Sequence, residues 1–189
     1  MSWRQVHARI SHATLTNIGQ VGSHSVNCRI ASEGDREFVF SVYASTRTEE
    51  LARVRWTLEE RERFLRQQFR AQDHSYRTNY PGAEFLIIVV DGADGGRLYL
   101  HRRLEEIRIM DVALLPGFRR QGIGTYLLKE LLREGQTSSR IVTIHVETFN
   151  PALRLYQRLG FTQVAENGVY LLMEWRPSMR LMKTGPEPT

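Results

Sequence analysis

Between Ile107 and Glu134 the chain reads as a strand, a glycine-bearing loop and an amphipathic helix in immediate succession. The strand "IRIMDVALL" (Ile107–Leu115) stops at Pro116. The helix is expected from Gln121 to about Glu134, with Ile123, Leu127 and Leu131 in one row beside Leu128 and Leu132. Glycine inside a helix costs about 1 kcal/mol relative to alanine, yet this helix opens on Gly122 and Gly124. Bare N–H groups at the positive end of a helix dipole suit an anion held close to the backbone. Arg119 and Arg120 would add mobile positive charge at the rim. The competing reading is a tight turn that needs glycine for packing alone.

The loop is not a P-loop, since no Gly-Lys-Ser/Thr follows. It is not the dinucleotide fingerprint either, since Leu127 stands where a third Gly or Ala belongs. Around it the pattern runs β, helices, ββ, β-α-β-α, ββ. "VNCRIA" (26–31) reads as the first clear strand, and Asp35 as the cap of a short helix through "REFVFSVYAS". Thr46/Glu49 and Thr57/Glu60 have capping-box spacing, the second opening a helix from about Leu58 to Tyr76. Its apolar rows are Phe64, Gln68 and Ala71 beside Leu65, Phe69 and Tyr76. "EFLIIVVD" (84–91) reads as a central buried strand, "GADGG" (92–96) as a turn and "RLYLHRRL" (97–104) as its partner. After "RIVTIHVE" (140–147), Asn150-Pro151 caps a helix expected over about 151–159, with Gly160 at its end. "FTQVAE" and "VYLLMEW" close the chain as a hairpin around the turn at Glu166-Asn167-Gly168. The whole is an α/β (α+β) domain around a mixed sheet.

With 189 residues the chain is long enough to bury one core. The longest apolar run, Phe85–Val90, is far short of the ~20 residues that span a bilayer. The opening "MSWRQVHARISHATLTN" lacks the continuous apolar stretch of a secretory signal. A single cysteine, Cys28, excludes an internal disulfide and a cysteine-based zinc site, and points to a reducing cytoplasm. The net charge of +5 is spread among acidic residues, which speaks against a nucleic-acid stripe.

The loop Arg119-Arg120-Gln121-Gly122-Ile123-Gly124, followed one strand later by Asn150, Leu155-Tyr156 and Leu159-Gly160-Phe161, resembles the GNAT superfamily of acyl-CoA N-acyltransferases. The resemblance is firm over about 105–175 and weaker by pattern over 26–104. It implies a GNAT-like, mostly antiparallel twisted sheet of about six to seven strands with helices on both faces. The domain would span 26–176, between an N-terminal arm or extra strand (1–25) and a polar C-terminal tail (177–189). The spacing from Asn150 to Ala152 is one residue shorter than the family's usual, which shifts the strand–helix register by one.

By the same resemblance, acetyl-CoA is the cosubstrate and no metal is needed. The backbone of Val112, Ala113 and Leu114 would pair with the pantetheine arm. The N–H groups of Arg119, Arg120, Gln121, Gly122, Ile123, Gly124 and Thr125 would hold the pyrophosphate, and Asn150 would touch the same arm. Tyr156 matches the tyrosine that protonates the departing thiolate; the alternative is a core aromatic beside Ala152, Leu153 and Leu159. An amine must lose a proton before it attacks. Asp111 in its apolar strand is one candidate base, through desolvation. His145 and Glu147, on one face of the next strand, are others, and a relayed water alone is a further option.

The leading expectation is transfer of acetyl from acetyl-CoA to a primary amine of a small molecule or peptide. A non-catalytic acyl-CoA sensor or scaffold is the alternative, and an RNA-directed protein is a third class. A homodimer is compatible with the sequence. Residues 35–80 are expected to build the acceptor side.

Overall fold

The computed structural model describes residues 19–178. Two short strands, β1 (Gly19–Val21) and β2 (His24–Ile30), open it. Helices α1 (Arg36–Leu51) and α2 (Leu58–Asn79) follow. Strands β3 (Glu84–Val90), β4 (Ala93–Arg102) and β5 (Glu106–Leu114) lead into α3 (Ile123–Ser138). The chain continues through β6 (Ile141–Glu147), α4 (Leu153–Arg158), β7 (Thr162–Asn167) and β8 (Tyr170–Trp175).

The strands form one eight-stranded sheet in the order β1-β2-β3-β4-β5-β6-β8-β7. Only β5 and β6 run parallel; the other neighbouring pairs are antiparallel. The sheet is therefore mixed and mostly antiparallel, as expected, but has eight strands rather than six or seven. β1 comes from within the segment read as an arm or extra strand. The rest of that segment, 1–18, and 179–189 of the tail lie outside the described residues.

Several local expectations shift for identifiable reasons. The turn read at 92–96 is only Asp91-Gly92, with φ of 51° and 81°, so β4 starts at Ala93. These left-handed values make the two-residue turn that matches sheet twist. Asp35 does not cap α1 with its side chain. Its carboxylate instead accepts from the Ser32 amide (2.6 Å) and from Arg29 (2.6 and 2.9 Å). Thr46 and Glu49 cap nothing, because α1 runs through both. The Thr57–Glu60 box does form, at 3.2 and 2.8 Å, and α2 extends to Asn79. Helix α3 starts at Ile123 rather than Gln121, since Arg120 and Gly122 have φ of 60° and 83°. Helix α4 starts at Leu153, after a turn in which the Asn150 side chain accepts from the Ala152 amide (2.9 Å).

Two apolar cores lie on opposite faces of the sheet. On one, Ile123, Leu127, Leu128 and Leu131 of α3 pack with Tyr156 of α4 against Ile107, Ile109, Val142 and Ile144. On the other, Val39, Phe40 and Tyr43 of α1 and Phe69 of α2 pack against Ile87, Val89 and Tyr99, and reach Met110 of β5. Beyond Met110 that second face turns polar, with His145 exposed and Glu147 half-buried on β6. No helix among the described residues is long and apolar enough to cross a membrane.

Candidate active site

Strands β5 and β6 pair from Glu106↔Ile141 to Ile109↔Ile144, and there the ladder stops. Yet β5 continues to Leu114 and β6 to Glu147. Residues 110–114 and 145–147, held by β4 and β8 on their other sides, thus do not pair with each other across the gap. Into this divergence opens a cleft of about 810 Å³. Its lining includes Asp111, Val112, Ala113, His145, Glu147, Asn150 and Tyr156, all singled out from the sequence. Residues of α1 and α2, among them Tyr43, Arg47, Gln72 and Tyr76, form the opposite wall, where the acceptor side was expected.

A β-bulge sets what β5 shows to the cleft. Tyr99 pairs with Asp111 and Leu100 with Ile109, leaving Met110 as the extra residue. Ile109 and Val112 both pack on the α3 face, while Met110 packs on the other. Strict alternation would have placed Asp111 with Ile109 in the apolar core. The bulge instead brings it to the buried Arg97, whose Nη2 and Nε donate to its carboxylate at 2.6 and 3.3 Å. The Tyr76 hydroxyl donates to the Met110 carbonyl (3.2 Å), fixing the bulge to α2. Asp111 is therefore the counter-ion of an arginine rather than an isolated carboxyl in an apolar strand.

The other candidate bases differ in what surrounds them. Glu147 accepts from Arg47 Nη1 at 3.4 Å, across from α1. His145 loses part of its hydration to the cleft walls, and the Arg108 charge adds to this; both hold its imidazole below the usual value. It is therefore neutral near pH 7. Tyr156 is only 4% exposed, and burial, assisted by the Asp111 charge, holds its hydroxyl well above the usual tyrosine value. That hydroxyl keeps its proton.

At the loop, Gly122 and Gly124 serve different ends. Gly122 adopts φ of 83°, which side chains disfavour, and a Cβ there would sit 3.2 Å from Val21 Cγ1. Gly124 needs no such φ, and a Cβ there would meet only Leu114 Cδ1, at 4.0 Å. Packing therefore does not account for Gly124. The N-cap of α3 is Gly122, and no side chain caps the helix, so its first N–H groups face the open loop. Arg119, expected as mobile charge at the rim, is anchored instead. It donates to the Leu114 carbonyl (2.7 Å) and to the Ser45 carbonyl (3.2 Å) and hydroxyl (2.9 Å). Gln121 donates to Gly117 O (2.6 Å), leaving Arg120 as the exposed cation of the loop.

Sequence reasoning missed Arg97, Arg47, Tyr43 and Tyr76. Arg97 stands in an alternating strand where it reads as a solvent-facing residue, and only the helices that cover β4 bury it.

Residues 81–163 match the family described as an acetyltransferase (GNAT) domain. No curated protein matches the chain. Solved structures share the fold. PaiA N-acetyltransferase from Thermoplasma acidophilum, in complex with coenzyme A, is 19% identical over 80% of this chain and 99% of its own, with a TM-score of 0.60. The ribosomal-protein-S18-alanine N-acetyltransferase from Escherichia coli is 17% identical over 84% and 97%, with a TM-score of 0.54. A GNAT family acetyltransferase from Elizabethkingia anophelis with acetyl-CoA bound is 17% identical over 80% and 97%, at 0.52. Residues 81–163 thus resemble the GNAT acetyltransferase domain, and the fold is one that GNAT acetyltransferases share.

Proposed function

We propose that the protein transfers the acetyl group of acetyl-CoA to a primary amine by direct attack. The observation that carries this reading is the divergence of β5 and β6 around a cleft that Tyr156 lines, next to an uncapped, glycine-opened helix. The residues fit the cosubstrate. The N–H groups at the start of α3 suit a pyrophosphate, with Arg120 at the rim. The edge of Val112 and Ala113 that β6 leaves free offers strand-like hydrogen bonds to an amide-bearing arm, with the Leu114 carbonyl held by Arg119, and the open space at Gly124 permits close approach. Bound there, acetyl-CoA supplies an acyl thioester.

His145 is the best-placed base of the three candidates. Asp111 and Glu147 each face a guanidinium, whereas His145 is exposed to the cleft and neutral. It takes one proton from the acceptor's ammonium and so frees the nitrogen lone pair. Tyr156, with its proton firmly held, donates a hydrogen bond to the departing sulfur. An ordinary thiol titrates near 8.5, below tyrosine, so this bond stabilises charge as it develops rather than driving full transfer downhill. Asn150 is occupied through its carbonyl oxygen in capping the α4 turn, and its amide end remains for the cleft.

The test is release of free thiol from acetyl-CoA in the presence of a panel of primary amines. Amine-dependent release with a matching acetylated product supports the reading. Tight CoA binding without transfer to any amine would favour the sensor alternative.

A further inference from the structure

Arg97 is 2% exposed, yet its Nη1 has no hydrogen-bond partner. Its other donors are engaged, Nε and Nη2 by Asp111 and Nη2 also by Gln72 Oε1 (3.2 Å). The guanidinium carbon lies 5.6 and 5.2 Å from the Tyr43 and Tyr99 ring centroids. Buried donors in folded proteins are almost always paired, and a charged one is costly to leave unmade. Arg97 lines the same cleft as Asp111, His145 and Tyr156, together with its neighbours Tyr43, Gln72 and Tyr76. The cleft is the adjoining space from which the missing acceptor atom can arrive.

Given the acetyltransfer proposed above, we infer that Arg97 reads the amine substrate, and that this substrate is an α-amino amide such as the amino end of a peptide. The partner Nη1 lacks is an oxygen. A neutral carbonyl suits it better than a carboxylate, because Asp111 at 2.6 Å already balances the guanidinium and a second anion would leave net charge buried. Asp111 borders the strand gap where the nitrogen must arrive, so nitrogen and oxygen belong to one residue of the substrate. Solvent does not reach Nη1 in this state, so the oxygen arrives with a shift of Tyr43 or Gln72 in the cleft wall. Beyond that point the cleft passes exposed Phe149 (67%) and Tyr170 (47%), apolar surface for further residues of a chain.

The test compares wild-type kcat/KM, with acetyl-CoA, for alaninamide, a tri-alanine amide, alanine and sec-butylamine. Both amides should exceed sec-butylamine by on the order of 100-fold or more, with alanine between. The tripeptide should exceed alaninamide if a peptide is the natural source. Arg97→Lys keeps a cation beside Asp111 but loses the fork. It should bind CoA as tightly by calorimetry while the amide preference falls to within about tenfold. An arm that needs no variant compares products as inhibitors of the wild type. N-acetyl-alaninamide should inhibit at roughly tenfold lower concentration than N-sec-butylacetamide. Equal or better turnover of sec-butylamine overturns the inference alone, as does an amide preference undiminished in folded Arg97→Lys. CoA binding with no amine acetylated overturns the acetyltransfer reading and the inference with it.

Discussion

Arg119, in the loop before α3, donates to both the carbonyl and the hydroxyl of Ser45 in α1, at 3.2 and 2.9 Å. The same side chain holds the last carbonyl of β5, Leu114 O, at 2.7 Å. One guanidinium thus ties the loop at the start of α3 to a helix that walls the cleft. Arg119→Ala should weaken CoA binding by on the order of tenfold through a displaced loop, and Ser45→Ala by less, since the carbonyl bond survives. Calorimetric titration with CoA checks both. An unchanged affinity in Arg119→Ala would mean the loop holds its shape without the tie.

The two glycines should separate stability from binding. Gly122→Ala forces a side chain into φ of 83° and against Val21, and is expected to cost about 1–2 kcal/mol in urea unfolding. Gly124→Ala meets open space in ordinary helical backbone, so the protein should fold at least as stably. Its CoA affinity should nevertheless fall if, as proposed, the pyrophosphate approaches the backbone at this point. A folded Gly124→Val protein with wild-type CoA affinity would remove the loop from the binding site.

Tyr156→Phe keeps the ring that packs edge-on to Phe161, with centroids 5.8 Å apart, and loses only the hydroxyl. Stability and acetyl-CoA affinity should stay nearly unchanged, while turnover falls roughly 100-fold. Wild-type turnover in the variant, where chemistry limits the rate, would make Tyr156 a core residue only.

Acid should weaken the fold in two stages. Desolvation holds both His145 and His101 below their usual value, so the unfolded chain binds more protons than the folded one as pH falls. Their contribution is complete above about pH 6.5 and is lost below it. Carboxylates held below their usual values, such as Glu106 and Asp91, act only at lower pH still. His145→Gln should flatten the decline between about pH 6.5 and 5 in a series of urea melts. A decline as steep as that of the wild type would show that His145 is not part of it.

Away from the cleft, Glu134 is 7% exposed and accepts from Arg102 (2.8 Å at both oxygens) and Arg140 (2.7 Å). Glu134→Ala takes from the buried Arg140 its carboxylate partner and leaves Arg102 only Glu84 (2.6 Å), and should cost about 3–5 kcal/mol. Enough protein should remain folded at low temperature to show CoA affinity close to wild type, since the pair lies at the far end of α3 from the loop.

Much of this architecture can be read from local signals. The α3 row of Ile123, Leu127 and Leu131 follows from a 3.6-residue period, the Thr57–Glu60 box from its spacing, and the glycine loop from its cost. What escapes is set by residues far apart in sequence. Nothing near Arg97 says that α1 and α2 will cover it, and nothing near Arg119 names Ser45, 74 positions away. "IRIMDVALL" alternates polar and apolar residues poorly enough that the extra Met110 cannot be found without Tyr99 and Leu100 to count against. The divergence of β5 and β6 likewise has no signal in any single residue of either strand and shows only where their pairing ends at Ile109 and Ile144.

The bulge at Met110 makes the two sides of β5 depend on arithmetic. Changing Asp111 alters one group in the cleft. Deleting Met110 would restore strict alternation with Val112 and Leu114 still under α3 and Asp111 still beside Arg97, whereas deleting Ala113, past the bulge, would turn Leu114 to the opposite face. Point changes in this stretch can tune the pocket one group at a time, but a change of length past the bulge exchanges interior for pocket in a single step. Among descendants of this chain, the residues of β5 are therefore free to vary in kind long before they are free to vary in number.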